Sequence, residues 1–125
     1  MTQNAHAFLG DNDIALLLEI ANLACHKGLP TAARTIADGV LAVRPDFAPA
    51  TITLAYSHVV VDDFDTALDM LAPLLEKNPA DAEARVIQGM AFLLSDRRSE
   101  AEEAFAHIPE QSPQKQLAAD LLQSL

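Results

Sequence analysis

Residues 48–81 read APATITLAYSHVVVDDFDTALDMLAPLLEKNPAD, and the pattern of this stretch recurs on both sides of it. One series of prolines and two series of small residues each repeat at an interval of 34 residues: Pro45, Pro79 and Pro113; Ala33, Ala67 and Ala101; Ala21, Ala55 and Gly89. A fixed period of this length is typical of stacked units that each consist of a helix, a turn and a second helix. The sequence therefore predicts an all-α fold, built as a helical solenoid.

The repeated residue types have a physical role in such a unit. Two helices approach closely only where the side chains between them are small, so we expect Ala55 to face Ala67 and Gly89 to face Ala101. Proline lacks the N–H that continues a helix and biases the residue before it away from helical geometry, so each second helix should end near its proline. One unit cannot bury its apolar stripe alone, and about three units are needed for a stable stack.

This pattern resembles the tetratricopeptide repeat, whose unit carries a small residue at position 8, another at position 20 and proline at position 32. The nine repeated residues fill these positions in three consecutive repeats, 14–47, 48–81 and 82–115. The sequence departs from the family at position 4, where a large aromatic residue is replaced by Leu17, Thr51 and Arg85. The resemblance implies three helix–turn–helix repeats. The segment 56–61, which would suit a strand in isolation, is then predicted to be helical.

The two ends of the chain fall outside the three repeats. Residues 1–13 are predicted to form a flexible N-terminal arm, with Asp11–Asp13 capping the first helix. Residues 116–125 are predicted to form a C-terminal capping helix that shields the open end of the solenoid. Its apolar face is assigned to four leucines: Leu117, Leu121, Leu122 and Leu125. These leucines could instead form the seam of a homodimer.

The composition excludes several classes of function. A formal net charge of −10 disfavours nucleic acid and anionic membrane surfaces as partners, because both attract basic proteins. No apolar run is long enough to span a bilayer, and the N-terminal residues lack the pattern of a signal peptide. The lone Cys25 excludes an internal disulfide. We therefore predict a cytoplasmic protein.

The resemblance also implies where a partner would bind. In the family, positions 5, 9, 12 and 13 of each repeat tend to face the concave surface of the solenoid. In this chain most of these positions are apolar, which predicts an apolar groove for an amphipathic helix of a client protein. Some of the side chains could instead pack between helices. The twelve positions hold Leu18, Asn22, Cys25, His26, Ile52, Tyr56, Val59, Val60, Val86, Met90, Leu93 and Leu94.

Family members that bind the acidic C-termini of heat-shock chaperones use lysine, arginine and asparagine on this surface. The corresponding positions here hold Leu18, Glu83 and Ile87, and only Asn22 matches, so such a clamp is not expected. In size, acidity and repeat number the chain more closely resembles the small chaperones of type III secretion needle subunits. That resemblance implies a secreted client, a role in virulence, and a second small chaperone as a further candidate partner on the acidic outer face. The alternative is a generic scaffold within a larger assembly.

No group of residues points to catalysis, a cofactor or a metal. Cys25 and His26 are adjacent, so on a helix their side chains diverge by about 100° and cannot form a nucleophile and base pair. The four histidines show no spacing that would pair them with each other or with the cysteine as metal ligands. The acidic cluster at 62–65 lacks the glycine and alternating oxygen ligands of a calcium loop. We predict that the protein is not an enzyme.

Overall fold

The computed structural model describes residues 10–125, and within this span every regular element is an α-helix. The helices are α1 (Asp11–His26), α2 (Pro30–Val43), α3 (Ala48–Val59), α4 (Phe64–Lys77), α5 (Ala82–Leu94), α6 (Arg98–Ala106) and α7 (Gln114–Ser124). The predicted all-α helical solenoid is confirmed. Most of the predicted N-terminal arm lies outside the described residues.

The helices pack in the order expected of stacked pairs. Each of the first six helices packs against the next one in the chain, and α1, α3, α5 and α7 also contact one another in succession. This second set of contacts places the first helix of every pair in one row. The last helix, α7, packs mainly against α5 and touches α6 less. The row therefore forms one surface of the molecule, and α7 closes one of its ends.

The small residues of the 34-residue pattern lie where helices approach each other. Ala21 and Ala33 are fully buried in one cluster, and Ala55 and Ala67 are fully buried in another. At Gly89 the contact is with an aromatic ring, because a Cβ built there would overlap the ring of Phe105 on α6. The ring is itself buried. A glycine is therefore required at this point of the third repeat.

The turn inside each pair has the same backbone in all three repeats. Gly28, Asp62 and Asp96 are spaced by 34 residues, and all three have a left-handed backbone, with φ of 73°, 63° and 64°. The N–H of the following residue donates to the carbonyl five positions back, as in Leu29 to Ala24, at 2.8 to 2.9 Å in each repeat. This is the Schellman motif, which satisfies carbonyls at a helix C-terminus. Glycine and aspartate tolerate this left-handed backbone better than most residues do, so their presence at these three positions explains why each first helix ends there.

The proline of each unit lies in the connection to the next unit. Arg44 and Asn78 precede Pro45 and Pro79, and both end a second helix with the same extended backbone, φ −137° and ψ 82°. This backbone lies outside the helical region, which a following proline disfavours. The third repeat is different: α6 ends already at Ala106, and the register proline directly precedes α7.

Two predicted helix boundaries and one predicted buried face need correction. The first helix begins at Asp11, so Asp11–Asp13 do not cap it. Gly10 is the cap residue, and the Asp13 carboxylate accepts a hydrogen bond from the Gly10 N–H at 3.1 Å. Helix α3 ends at Val59, two residues before the predicted end, because the left-handed turn begins there. The buried face of α7 is centred on Ala118, whereas Leu117 and Leu125 are exposed.

A polar contact joins the first two repeats. The Arg34 guanidinium on α2 donates to the Ser57 hydroxyl on α3 at 3.0 Å and to the Ser57 carbonyl at 3.2 Å. It also lies 3.2 Å from Nδ1 of His58. Ser57 is fully buried, so these bonds supply the partners that a buried hydroxyl requires.

Candidate partner-binding groove

The row of first helices carries a continuous groove. A depression of about 420 Å³ lies between α1, the start of α3 and α5, and a second one of about 190 Å³ lies between α1, α3, α5 and α7. The two depressions share Asn22, Thr53 and Glu83, so they form one groove that crosses all three repeats. A groove with this course can accept an elongated segment of a partner protein.

Hydrogen bonds between neighbouring repeats fix the polar part of the groove. The Thr53 hydroxyl donates to the Asn22 side-chain oxygen at 2.9 Å, and the Tyr56 hydroxyl lies 3.0 Å from Nδ1 of His26. The Tyr56 and His26 rings meet edge to face with an interplanar angle of 80°. Burial raises the pKa of the Tyr56 phenol, and the neighbouring Cys25 contributes to the shift, so the phenol remains protonated at neutral pH. These side chains hold α1 and α3 in a defined relative position.

The charged residues along the groove are mainly acidic. Asp11, Glu19 and Glu83 line it and are exposed. Arg44 also lines it, but its guanidinium forms an ion pair with the Asp11 carboxylate at 2.6 Å. The carboxylates of Glu19 and Glu83 therefore give the groove a negative potential, which attracts a basic partner and repels an acidic one.

Six of the twelve predicted groove positions line the two depressions. Leu18, Ile52 and Val86 form their floor and are more than nine-tenths buried. Asn22 and Tyr56 are half-buried and carry the hydrogen bonds described above. His26, at position 13 of the first repeat, also lines the groove. The groove therefore has a narrow apolar floor between polar side chains.

The predicted apolar groove is larger than the one in the structure, because several of the predicted residues lie outside the two depressions. Cys25 and Val59 are buried between helices, and Val60 packs against the cluster that joins α1 to α2. Leu94 is exposed but does not line either depression. Cys25 and Val59 are at position 12 and Val60 is at position 13, so all three lie at the end of the first helix or just after it. For these residues the alternative, packing between helices, describes the structure.

Helix α7 accounts for the remaining predicted residues. Met90 and Leu93 pack in the cluster that contains Val86, Phe105 and Ala118, together with Leu121 and Leu122 of α7. The apolar surface of the third repeat is thus covered by the chain's own last helix. Leu121 and Leu122 of the predicted apolar face pack in this cluster, whereas Leu117 and Leu125 are exposed, and the buried Ala118 was not predicted as part of that face.

Several residues that line the groove were not predicted as part of the site, including four in the smaller depression, between α3, α5 and α7. Thr53 follows the predicted Ile52 and is buried, and Glu83 lies at position 2 of the third repeat. Gln114 and Leu117 belong to α7 and form the edge of the smaller depression. Their positions depend on where α7 docks, and the 34-residue pattern does not extend to that helix.

Other candidate chemistry can be judged within the described part of the chain. Cys25 is buried, and burial raises the pKa of its thiol, with Arg34 acting in the opposite direction. Among residues 10–125 no three His, Cys, Asp or Glu side chains come together in a way that would hold a metal ion. No helix in that span is both long and apolar enough to cross a bilayer.

The acidic residues assigned to the outer face are exposed. Two of them form ion pairs on α6: Glu100 with Arg97 at 2.7 Å and Glu102 with Arg98 at 3.6 Å. The other exposed acidic residues of the second helices, which form the acidic outer face, are Asp38, Asp65, Asp69, Glu76 and Glu103. The groove, in contrast, is lined mainly by first helices.

One comparison with known proteins gives a match. Residues 61–125, just over half of the chain, match the family model described as tetratricopeptide repeat. This segment contains α4 to α7. No curated protein matches the sequence.

Proposed function

Because the chain belongs to the tetratricopeptide repeat family, we propose that it holds an amphipathic helix of a client protein in the groove formed by α1, α3 and α5. Members of this family are generally non-catalytic modules that bind other proteins. The observation that carries the proposal is the continuity of the groove across three repeats, with Leu18, Ile52 and Val86 along its floor. A client helix would place one apolar face on this floor by anchors three and four residues apart.

The charge of the groove narrows the class of client. Glu19 and Glu83 lie at its rim, so a client helix with lysine or arginine beside its apolar face would form favourable contacts there. The same carboxylates would repel an acidic C-terminal peptide. Glu83 occupies one of the positions where a carboxylate clamp would carry a cation, and Ile87 at another is buried.

More narrowly, we propose that the client is a needle or other secreted subunit of a type III secretion apparatus, held in the cytoplasm before export. The support is the resemblance in size, acidity and repeat number, together with a short last helix. A second small chaperone would then bind the acidic outer face around Asp65 and Asp69. By covering the client's apolar face, the groove would prevent that subunit from polymerising too early.

One observation favours a different candidate, a generic scaffold within a larger assembly. Asn22, Thr53 and Glu83 lie at the centre of the groove. A chaperone that binds apolar anchors of a client helix was expected to have apolar side chains there. A polar centre suits a partner recognised through hydrogen bonds, including an extended segment. The two candidates agree on the groove as the binding surface and differ in the partner.

The test uses two exposed side chains with the same exposed fraction. Leu117 is 47% exposed and lines the groove, and Val61 is 47% exposed and lies in the turn after α3, outside the groove lining. The tagged protein, Leu117→Glu and Val61→Glu are used to capture partners from the source cells, and each captured protein is identified. The amphipathic helix of each captured protein is then prepared as an isolated peptide and titrated against the parent protein and the two variants.

The expected result is a small secreted subunit with a basic amphipathic helix. Leu117→Glu should weaken its binding by roughly tenfold or more, because a carboxylate at the groove edge is desolvated on binding, while Val61→Glu should bind as the parent does. Capture of large assembly components instead would support the scaffold. Equal binding by all three proteins would contradict the groove itself.

A further inference from the structure

Helix α1 carries an apolar stripe that no described residue covers. Leu16, Ile20 and Leu23 follow one another at helical spacing and are 57%, 47% and 53% exposed. The buried face of the same helix, around Ile14, Leu18 and Cys25, lies on its opposite side. The groove residue Asn22 lies about 100° around the helix from Leu23, and Glu19 at the groove rim lies beside Leu16 and Leu23, so the stripe borders the groove without including its floor.

The repeat pattern shows what kind of surface this stripe is. The residues 34 and 68 positions after Leu16 are Ala50 and Ala84, and those after Leu23 are Ser57 and Ala91. All four are small and fully buried, because the second helix of the preceding repeat packs over them. The stripe is therefore the stacking face of the first repeat. Leu16 and Leu23 are large where the other repeats carry small residues, whereas Ile20 corresponds to Leu54 and Gln88, which are half-buried.

We propose that a second copy of this chain covers the stripe, with the two α1 helices packed antiparallel about a two-fold axis near Ile20. An isologous contact uses the same patch on both copies, so the patch must complement itself. The charges at the two ends of the stripe complement each other in this way. Asp13 and Lys27 are both exposed and lie seven residues before and after Ile20, on the same side of the helix. Antiparallel packing places each Lys27 opposite the Asp13 of the other copy.

The size of the stripe agrees with a dimer contact. Its three side chains expose on the order of 300 Å² of apolar surface, a size at which an exposed patch marks an interaction site. A stable interface buries about 800 Å² on each partner, of which a little over half is apolar. The stripe therefore supplies most of the apolar centre, and the flanking polar residues of α1 supply the rim.

The first test is sedimentation velocity of the full chain over a range of concentrations, with circular dichroism as the check on folding. The parent should show a monomer–dimer equilibrium. Ile20→Glu places two carboxylates against each other at the axis and should raise the dissociation constant at least about 100-fold, without loss of helix, since the side chain is exposed in the monomer. The control Val61→Glu, on an equally exposed side chain away from α1, should change it less than about twofold.

The second test fixes the orientation of the two helices. Lys27→Asp alone places acidic residues opposite each other at both ends, and Asp13→Lys alone places basic ones there, so each variant should dimerise more weakly than the parent. An equimolar mixture of the two variants forms two attractive pairs and should recover the dimer as a heterodimer. A copy-to-copy disulfide should form in Ile20→Cys and not in Val61→Cys, while Cys25 is buried and does not compete.

Three results would overturn the proposal. They are a parent that stays monomeric at every concentration up to about 1 mM, a dimer that survives Ile20→Glu, and a mixture no tighter than its separate variants. If the parent is monomeric and Ile20→Glu loses a partner found by capture, a different protein covers the stripe. None of these results depends on the groove, so they leave the proposed client binding untouched.

Discussion

A single methyl group at Gly89 should destabilise the protein, although glycine is a poor residue for a helix interior. In the middle of a helix, alanine is more stable than glycine by about 1 kcal/mol. At position 89 the new Cβ would overlap the ring of Phe105, which is buried between α5, α6 and α7 and has little room to move. Overpacking of this kind costs about 1–3 kcal/mol. The three nearest atoms all belong to the one rigid ring, which favours the upper end of that range, so we expect a net loss of about 2 kcal/mol.

Gly39 provides the matched control. It also lies inside a helix, α2, but a Cβ built there meets no other atom within 4 Å. Gly39→Ala should therefore stabilise the protein by about 1 kcal/mol through helix propensity alone. Urea unfolding followed by circular dichroism measures both variants, and they should differ by about 3 kcal/mol in opposite directions from the parent.

The Phe105 ring can be tested directly. Phe105→Leu removes Cε1 and Cζ, the two ring atoms nearest to the new methyl group, so it should cost less in the Gly89→Ala background than in the parent, with a coupling energy of at least about 1 kcal/mol. If Gly89→Ala is as stable as the parent while Gly39→Ala gains stability, the close contact between α5 and α6 is wrong. A coupling energy near zero would show that the loss has a cause other than the ring.

Two further predictions concern the turns and the buried thiol. Asp62 has a left-handed backbone, with φ of 63°, so Asp62→Gly should stabilise the protein by up to about 1 kcal/mol in urea unfolding, and Asp62→Val should destabilise it by about 1–2 kcal/mol; equal stabilities would contradict the repeated turn. Burial raises the pKa of the Cys25 thiol in the folded protein above its ordinary value of 9.0. The unfolded chain therefore loses this proton at a lower pH than the folded chain does. The contribution of the thiol to stability is thus complete below pH 9 and declines as pH rises further. Stability measured from pH 7 to pH 10 should fall less steeply in Cys25→Ala than in the parent, and a slope unchanged by the substitution would contradict a protonated buried thiol.

The 34-residue pattern predicted the fold because its residues act at the contacts themselves. Ala55 and Ala67 are small where two helices touch, and Pro45 and Pro79 end helices by their covalent structure, so sequence position translates directly into geometry. The glycine and aspartates of the repeated turn belong to the same pattern. The left-handed backbone of Asp62 was not predicted, since aspartate adopts that conformation less often than glycine.

The groove was predicted less well because it depends on how the last helix docks. Positions 5 and 9 of the first two repeats, which hold Leu18, Asn22, Ile52 and Tyr56, line the two depressions. Met90 and Leu93 do not, since they lie beneath α7. Met90 and Leu93 would be apolar whether they lined a free groove or packed beneath a capping helix. Their hydrophobicity therefore does not distinguish the two arrangements. The distinction comes from Ala118, whose small size brings α7 onto α5.

The contact between Arg34 and Ser57 gives the two seams between repeats different temperature dependences. The positions 34 residues later hold Leu68 and Ala91, which pack in an apolar cluster. The first seam therefore combines this polar contact with apolar packing around Ala50, whereas the corresponding contact at the second seam is apolar. In a linear array, the cohesion between neighbouring units adds to the stability of each unit. Apolar cohesion weakens on cooling. Cooling should therefore loosen the third repeat before the first, and amide hydrogen exchange at low temperature should show protection lost first in α5 and α6.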